Sequence, residues 1–173
     1  QLAGSVVFMF QPGEEGGGGA ALMVEEGVLD AAGERVVAAY ALHVGASLLP
    51  AGYVAGRPGP IMAASDTLRV TVRGRGGHGG KPHRAADPIV AAAQVVVALP
   101  TIVAREVSPV EPAVVTIGAV HGGQAFNVIP DEVVLTGTIR TFDPDLRAYM
   151  PERIARVAGG VAQAMQCRAE VEV

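Results

Sequence analysis

Residues 5–10, SVVFMF, form an unbroken run of β-branched and aromatic side chains. That pattern predicts a strand buried on both faces. QPGEEGGGG ends the run, and GAALMVEEGVL follows with Ala20, Met23, Val24 and Val28 at helical spacing. Val36–Val44, VVAAYALHV, is apolar again and predicts a second buried strand. Strand, helix and strand in that order make a βαβ unit of an α/β domain. Across residues 56–62, GRPGPIM, glycine and proline cluster and the periodicity lapses, which marks a linker.

Beyond the linker the period changes. Thr67–Arg73, TLRVTVR, alternates strictly and places Leu68, Val70 and Val72 on one face, as a half-exposed strand requires. GRGGHGGKPH is a glycine-rich loop. Asp87-Pro88 has the form of an N-cap followed by proline at the first helical position, predicting a helix through Ile89–Val103. Strands are predicted near Ala113–Val120 and Glu132–Phe142, joined through GGQAFNVIP. Asp143-Pro144 repeats the cap-and-proline device and opens a helix to about Gln166, after which RAEVEV alternates as a strand. The order β-α-β-β-α-β is the ferredoxin-like split βαβ arrangement. Two domains are therefore expected: residues 1–63, part of an α/β domain, and residues 64–173, a ferredoxin-like α+β domain.

Composition narrows the function classes. Of 173 residues, 50% are apolar and 17% charged, as in a globular protein with a core. The net charge of −4 and the absence of Trp argue against nucleic acid, which wants clustered cations and stacking platforms. No apolar run is read as long enough to span a bilayer, so no membrane partner is expected. A single cysteine, Cys167, excludes an intrachain disulfide framework and fits a reducing, cytoplasmic setting. The chain starts without Met and almost directly in a strand, which suggests a piece of a longer protein.

The chemistry concentrates at Gln11-Pro12-Gly13-Glu14-Glu15-Gly16. Two adjacent carboxylates stand where an apolar strand ends, at the edge where α/β sheets place ligands. The competing reading is that they only favour the first turn of the next helix through its dipole. His43 lies near the end of the second strand, and parallel strands joined by a helix finish on the same edge. Imidazole nitrogen and carboxylate oxygen are ligands for zinc and its neighbours. If one glutamate binds metal, the other can act as general base towards a polarised water. One histidine and two carboxylates do not complete such a site.

The segments FQPGEEG, LHV, GRPGPIMAASDTLRVTVRGRGGHGGKPH and GGQAFNVIPDEVVLTGTIRTF, in that order, resemble the metal-dependent N-acyl-amino-acid amidohydrolases, relatives of aminoacylases and glutamate carboxypeptidases. The resemblance covers nearly the whole chain. It implies a metallopeptidase-type catalytic α/β domain interrupted by a ferredoxin-like lid or dimerisation domain, and a homodimer formed through that lid. It implies two divalent ions, with zinc, manganese, cobalt and nickel all compatible, and a small N-acyl amino acid as substrate. By position, Glu14 resembles the general base, and Glu15 and His43 resemble metal ligands. His78 resembles a lid histidine that stabilises the oxyanion and often reaches a partner's site. Asn127 and Arg140 resemble residues that hold the substrate carboxylate. His83 is expected to make a structural hydrogen bond, His121 to be surface, and Cys167 to be a buried apolar contact. The upstream segment that supplies a cysteine and a histidine ligand, and the downstream segment with the last histidine, are absent. The 173-residue chain is accordingly expected to be inactive by itself. Read without the resemblance, His78 is a loop residue, Asn127 a turn residue and Arg140 an edge charge. The alternative function is a non-catalytic dimerisation or small-molecule-binding module.

Overall fold

The computed structural model describes residues 3–14, 16–45 and 48–173. The chain divides into two compact units, residues 1–55 and 56–173.

In the first unit, the expected helix forms as α1 (Gly19–Glu25), followed by a 3-10 turn at Val28–Asp30. The two predicted strands do not form as paired strands: residues 5–10 and 36–44 carry no ladder among the described residues. Phe10 is 86% exposed and Leu42 89% exposed. A strand is a pairing, not a local conformation; its N–H and C=O groups need a neighbour at ladder distance. Neither segment supplies that neighbour to the other, so both stay unladdered with their apolar side chains in solvent.

The second unit carries the core. Strand β1 (Ala64–Arg73) is followed by the short β2 (Gly77–His78), a 3-10 turn at Pro82–Arg84, and helices α2 (Pro88–Ala98) and α3 (Pro100–Arg105). Then come β3 (Ala113–Gly122), the short β4 (Val128–Ile129), β5 (Glu132–Thr141), α4 (Pro144–Ala164) and β6 (Arg168–Glu172). The main sheet has the order β3-β5-β1-β6 with every pair antiparallel. This is the split βαβ arrangement that the alternation of elements predicts. β2 and β4 make a separate two-stranded ladder.

Register follows the hydrophobic pattern. Val70 pairs with Leu135 and Val72 with Val133, and all four are buried. Because side chains alternate along a strand, this register sends both sets to the same face. The helices cover that face. Met150, Ile154, Ala158 and Ala162 make one buried stripe on α4, and Ala91, Ala92, Val95, Leu99 and Ile102 are buried on α2 and α3. Each fully buried Leu or Ile contributes about 1.5–3 kcal/mol relative to exposure. Alanines at the contact faces let the helices approach closely.

Both proline-preceded caps form. Asp87 accepts hydrogen bonds from the Ile89 and Val90 amides, and Asp143 from the Leu146 amide. The first helix is not continuous through Val103, however, because it gives way to α3 at Leu99-Pro100. Pro100 has no N–H to donate into the helical ladder and restricts the residue before it. Together α2 and α3 span 18 residues of mean hydropathy 1.7, enough by length and composition for a membrane span. The expectation that no run reaches that length is therefore amended. The buried stripe identifies this pair as a core element of the second unit.

Candidate active-site residues

In the first unit, Glu14 is exposed in a turn closed by the Gly16 amide on the Glu14 carbonyl (2.8 Å) and the Gly17 amide on the Gly13 carbonyl (2.8 Å). Glu15, the expected metal ligand, lies outside the described residues. His43 is exposed, and its Nδ1 lies 2.8 Å from the Val44 carbonyl oxygen. A carbonyl only accepts, so Nδ1 carries the proton and Nε2 keeps its lone pair. That is the tautomer of a histidine ready to ligate a metal through Nε2. Among the described residues, no group of three or more His, Cys, Asp or Glu is placed to hold an ion. The donors present fit part of a metal site and not a whole one, since zinc-type sites take four ligands.

The second unit builds its site from backbone pairing. His78 lies on β2 directly opposite Val128 on β4, and the Gly79 amide donates to the Asn127 carbonyl (2.8 Å). The Asn127 backbone is thereby tied to Gly79, one residue along from His78. The loop that carries His78 is pinned at every step from the sheet outward. Gly74 donates to the Asp131 carbonyl (2.8 Å), and Arg75 and Ala86 exchange two bonds of 2.9 Å. Gly76 donates to the Asp131 carboxylate (2.8 Å). The glycines serve close approach. A Cβ on Gly74 would lie 2.1 Å from the Ala86 carbonyl oxygen, and one on Gly76 2.7 Å from that of Ile129. The glycine content of this loop thus admits neighbouring backbone.

Arg140 is elsewhere. It sits near the far end of β5, paired in register with Ser65 and Val114 and exposed. The β2–β4 ladder projects from the opposite end, beyond the Arg73–Glu132 pair. Eight residues of strand separate Glu132 from Arg140, about 26 Å at about 3.3 Å per residue. One copy of this unit does not bring His78, Asn127 and Arg140 to a common point.

Other residues frame these sites. A cavity of about 590 Å3 lies beside the β2–β4 ladder, lined in part by Pro82, Asp87, Ile89, Phe126 and Ile129. Phe126, next to Asn127, is fully exposed. The Asp66 carboxylate receives two hydrogen bonds from Arg147, 2.9 and 2.6 Å. That hydrogen-bonded guanidinium holds its carboxyl below the usual range against the opposing pull of desolvation, with Arg140 adding to the lowering. His83 makes no side-chain hydrogen bond among the described residues; it lies on the exposed side of the Pro82–Arg84 turn, so the expected structural bond is not formed. His121 is exposed on β3. Cys167 is buried, and burial pushes its thiol up, with Asp87 adding to the rise, which suits an apolar contact. Asp131 went unnoticed in the sequence, although an acidic residue directly before a strand, in NVIPD, is the available signal.

Residues 64–159, over half the chain, match the peptidase dimerisation domain family. The chain belongs to the M20 peptidases, through their dimerisation domain. It is 40% identical over 171 residues to an N-acetyl-L-cysteine deacetylase of Bacillus subtilis, covering 99% of this chain and 40% of that protein. It is 43% identical over 172 residues to the IAA-amino acid hydrolase ILR1-like 4 of Arabidopsis thaliana, covering 99% of this chain and 38% of the relative. Among solved structures it is similar to the Bacillus subtilis YXEP protein, described as a dinuclear metal binding peptidase from the M20 family. There the TM-score is 0.70 at 35% identity, over 94% of this chain and 38% of that one. The chain thus spans about two fifths of the length of the curated relatives it matches. Its mixed helix-and-sheet architecture is that of the M20 dimerisation domain, and its relatives are amide hydrolases.

Proposed function

We propose that the protein to which this chain belongs hydrolyses the amide bond of N-acyl amino acids with two divalent metal ions. In this reading residues 1–63 belong to the metal-binding catalytic domain and residues 64–173 form the lid. The observation that carries it is the β2–β4 ladder, which pairs His78 with Val128 and ties Gly79 to the Asn127 carbonyl, so that the backbone carrying His78 is held in place. A donor held on so constrained a backbone, as His78 is, is what a developing oxyanion requires.

His43 and Glu15 are the metal-holding residues of this chain, His43 through Nε2. The ions, when bound, supply Lewis-acid charge that polarises water and the scissile carbonyl. Glu14 takes a proton from the attacking water and returns it to the leaving amine nitrogen. His78 donates a hydrogen bond to the carbonyl oxygen as charge grows there. Asn127 and Arg140 orient the amino-acid carboxylate, Arg140 through its planar fork.

In an N-acyl amino acid the carboxylate and the scissile nitrogen share one α-carbon, so their separation is a few bonds. Arg140 and His78 of one chain stand at opposite ends of the sheet, and we infer that each substrate is held by two copies of the lid. The free edge at β3 supports pairing between copies. It carries the half-exposed Val114 and Val120, and Val90 and Val97 lie exposed on the outer side of α2. An exposed apolar edge strand favours pairing with a second edge.

The test uses the full-length protein, loaded with zinc, manganese, cobalt or nickel and offered N-acetyl, N-benzoyl and indole-acetyl amino acids, with free amine as the readout. Hydrolysis lost on chelation and lost in Glu14→Gln with metal content retained is the expected result. A folded, metal-loaded protein that cleaves none of the three classes would leave the non-catalytic module in its place. The 173-residue chain alone is expected to show no turnover.

A further inference from the structure

Two hydrogen bonds give His43 and His78 opposite tautomers. Nδ1 of His43 meets a carbonyl oxygen, whereas Nδ1 of His78 lies 2.9 Å from the Gly80 amide nitrogen and accepts its hydrogen. A backbone N–H has nothing to accept with, so the bond exists only while Nδ1 of His78 is bare. In a neutral imidazole the other nitrogen then carries the proton. We propose that the Gly80 amide is a positioning group that fixes His78 as the Nε2–H tautomer, so that it works as a neutral hydrogen-bond donor.

The geometry leaves the amide little freedom to do otherwise. The Lys81 amide donates to the His78 carbonyl (2.8 Å) and closes a turn over residues 78–81, while Gly79 is tied to Asn127. Gly80 sits inside that closed turn with its N–H directed at the ring. A Cβ on Gly80 would lie 3.2 Å from both Cε1 and Nδ1 of His78, so the ring rests directly over this backbone. With Nδ1 engaged, the only ring nitrogen left to meet a substrate is Nε2, and it arrives as a donor. An oxyanion takes a donor, and a metal ion takes a lone pair. The same residue type is thus set to two different tasks by what its Nδ1 touches. The catalytic consequence rests on the amidohydrolase reading, but the tautomer does not.

The test is nitrogen NMR of this chain labelled with 15N, at about pH 8.5, where imidazoles are neutral. The His78 signals are assigned by their disappearance in His78→Gln. We expect a single Nε2-protonated tautomer for His78, with coupling between the Gly80 amide and Nδ1, while His83 shows the mixture of an unconstrained ring. Gly80→Pro, which deletes the N–H, returns His78 to the mixture. In the full-length enzyme Gly80→Pro lowers kcat about a hundredfold with KM little changed. A wild-type His78 that is Nδ1-protonated or mixed like His83 overturns the proposal, whether or not Gly80→Pro folds. So does a folded Gly80→Pro with an unchanged spectrum. A full-length protein without hydrolytic activity but with the expected spectrum would overturn the amidohydrolase reading and leave the tautomer assignment standing.

Discussion

Gly74→Ala separates two explanations of the glycine-rich segment by the sign of its effect. If Gly74 were there for flexibility, alanine would restrict the unfolded chain and stabilise the protein by about 0.4–1 kcal/mol. The structure predicts the reverse. The new Cβ would sit 2.1 Å from the Ala86 carbonyl oxygen, 2.9 Å from Pro88 Cδ and 3.1 Å from Cys167 Sγ. The two nearest are a backbone carbonyl and a proline ring atom, neither of them the free end of a flexible side chain. Relief requires moving the Ala86 carbonyl by about an ångström, enough to break its 2.9 Å bond from Arg75 and disturb the reciprocal one. Two hydrogen bonds at about 0.5–1.5 kcal/mol each give a loss of about 1–3 kcal/mol. Equilibrium urea unfolding of this chain measures it as a lower midpoint at constant slope. Gly159→Ala is the internal control. It lies inside α4 with open space around a new Cβ, and it should stabilise by about 0.5–1 kcal/mol. A Gly74→Ala variant as stable as wild type, or more so, would refute the close-approach argument.

Thr141 and Asp66 give two further expected outcomes. Among the described residues the buried Thr141 hydroxyl has no hydrogen-bond partner, so Thr141→Val, which keeps the β-branched shape, should raise stability by about 1 kcal/mol in urea unfolding. Because the folded Asp66 carboxyl titrates below its ordinary value of 3.8, its contribution is complete above that pH and is lost as the pH falls through it toward the lower folded value. Acid unfolding of Asp66→Asn should therefore show a flatter slope in that window than wild type, with lower stability at neutral pH.

The ferredoxin-like unit was legible because its signals are local. Strict alternation in TLRVTVR and the Asp-Pro pairs at 87–88 and 143–144 each fix an element within a few residues. Pro100 was an equally local signal, but the helix was read through it to Val103, and the break between α2 and α3 was missed. What was not legible depends on partners distant in sequence. Apolar content at residues 5–10 and 36–44 announces strands, yet a strand requires a neighbour, and the pattern names none. The β2–β4 ladder joins residues some fifty positions apart, each half only two residues long, below what periodicity can register. Glycine in GRGGHGG reads only as a loop until the carbonyls of Ala86 and Ile129 are in place. The separation of Arg140 from Asn127 was countable, since the strand predicted at Glu132–Phe142 already put Arg140 near its far end.

That separation is the central claim, and mixed dimers test it. Full-length His78→Ala and Arg140→Ala subunits carrying different tags are co-expressed, and the heterodimer is purified through both tags. If each substrate is held by His78 of one copy and Arg140 of the other, the heterodimer contains one intact site of its two. It should then recover about half the wild-type turnover per dimer, while either parent homodimer stays nearly inactive. A heterodimer no more active than its parents would mean that each site takes both residues from a single copy, and would contradict the account.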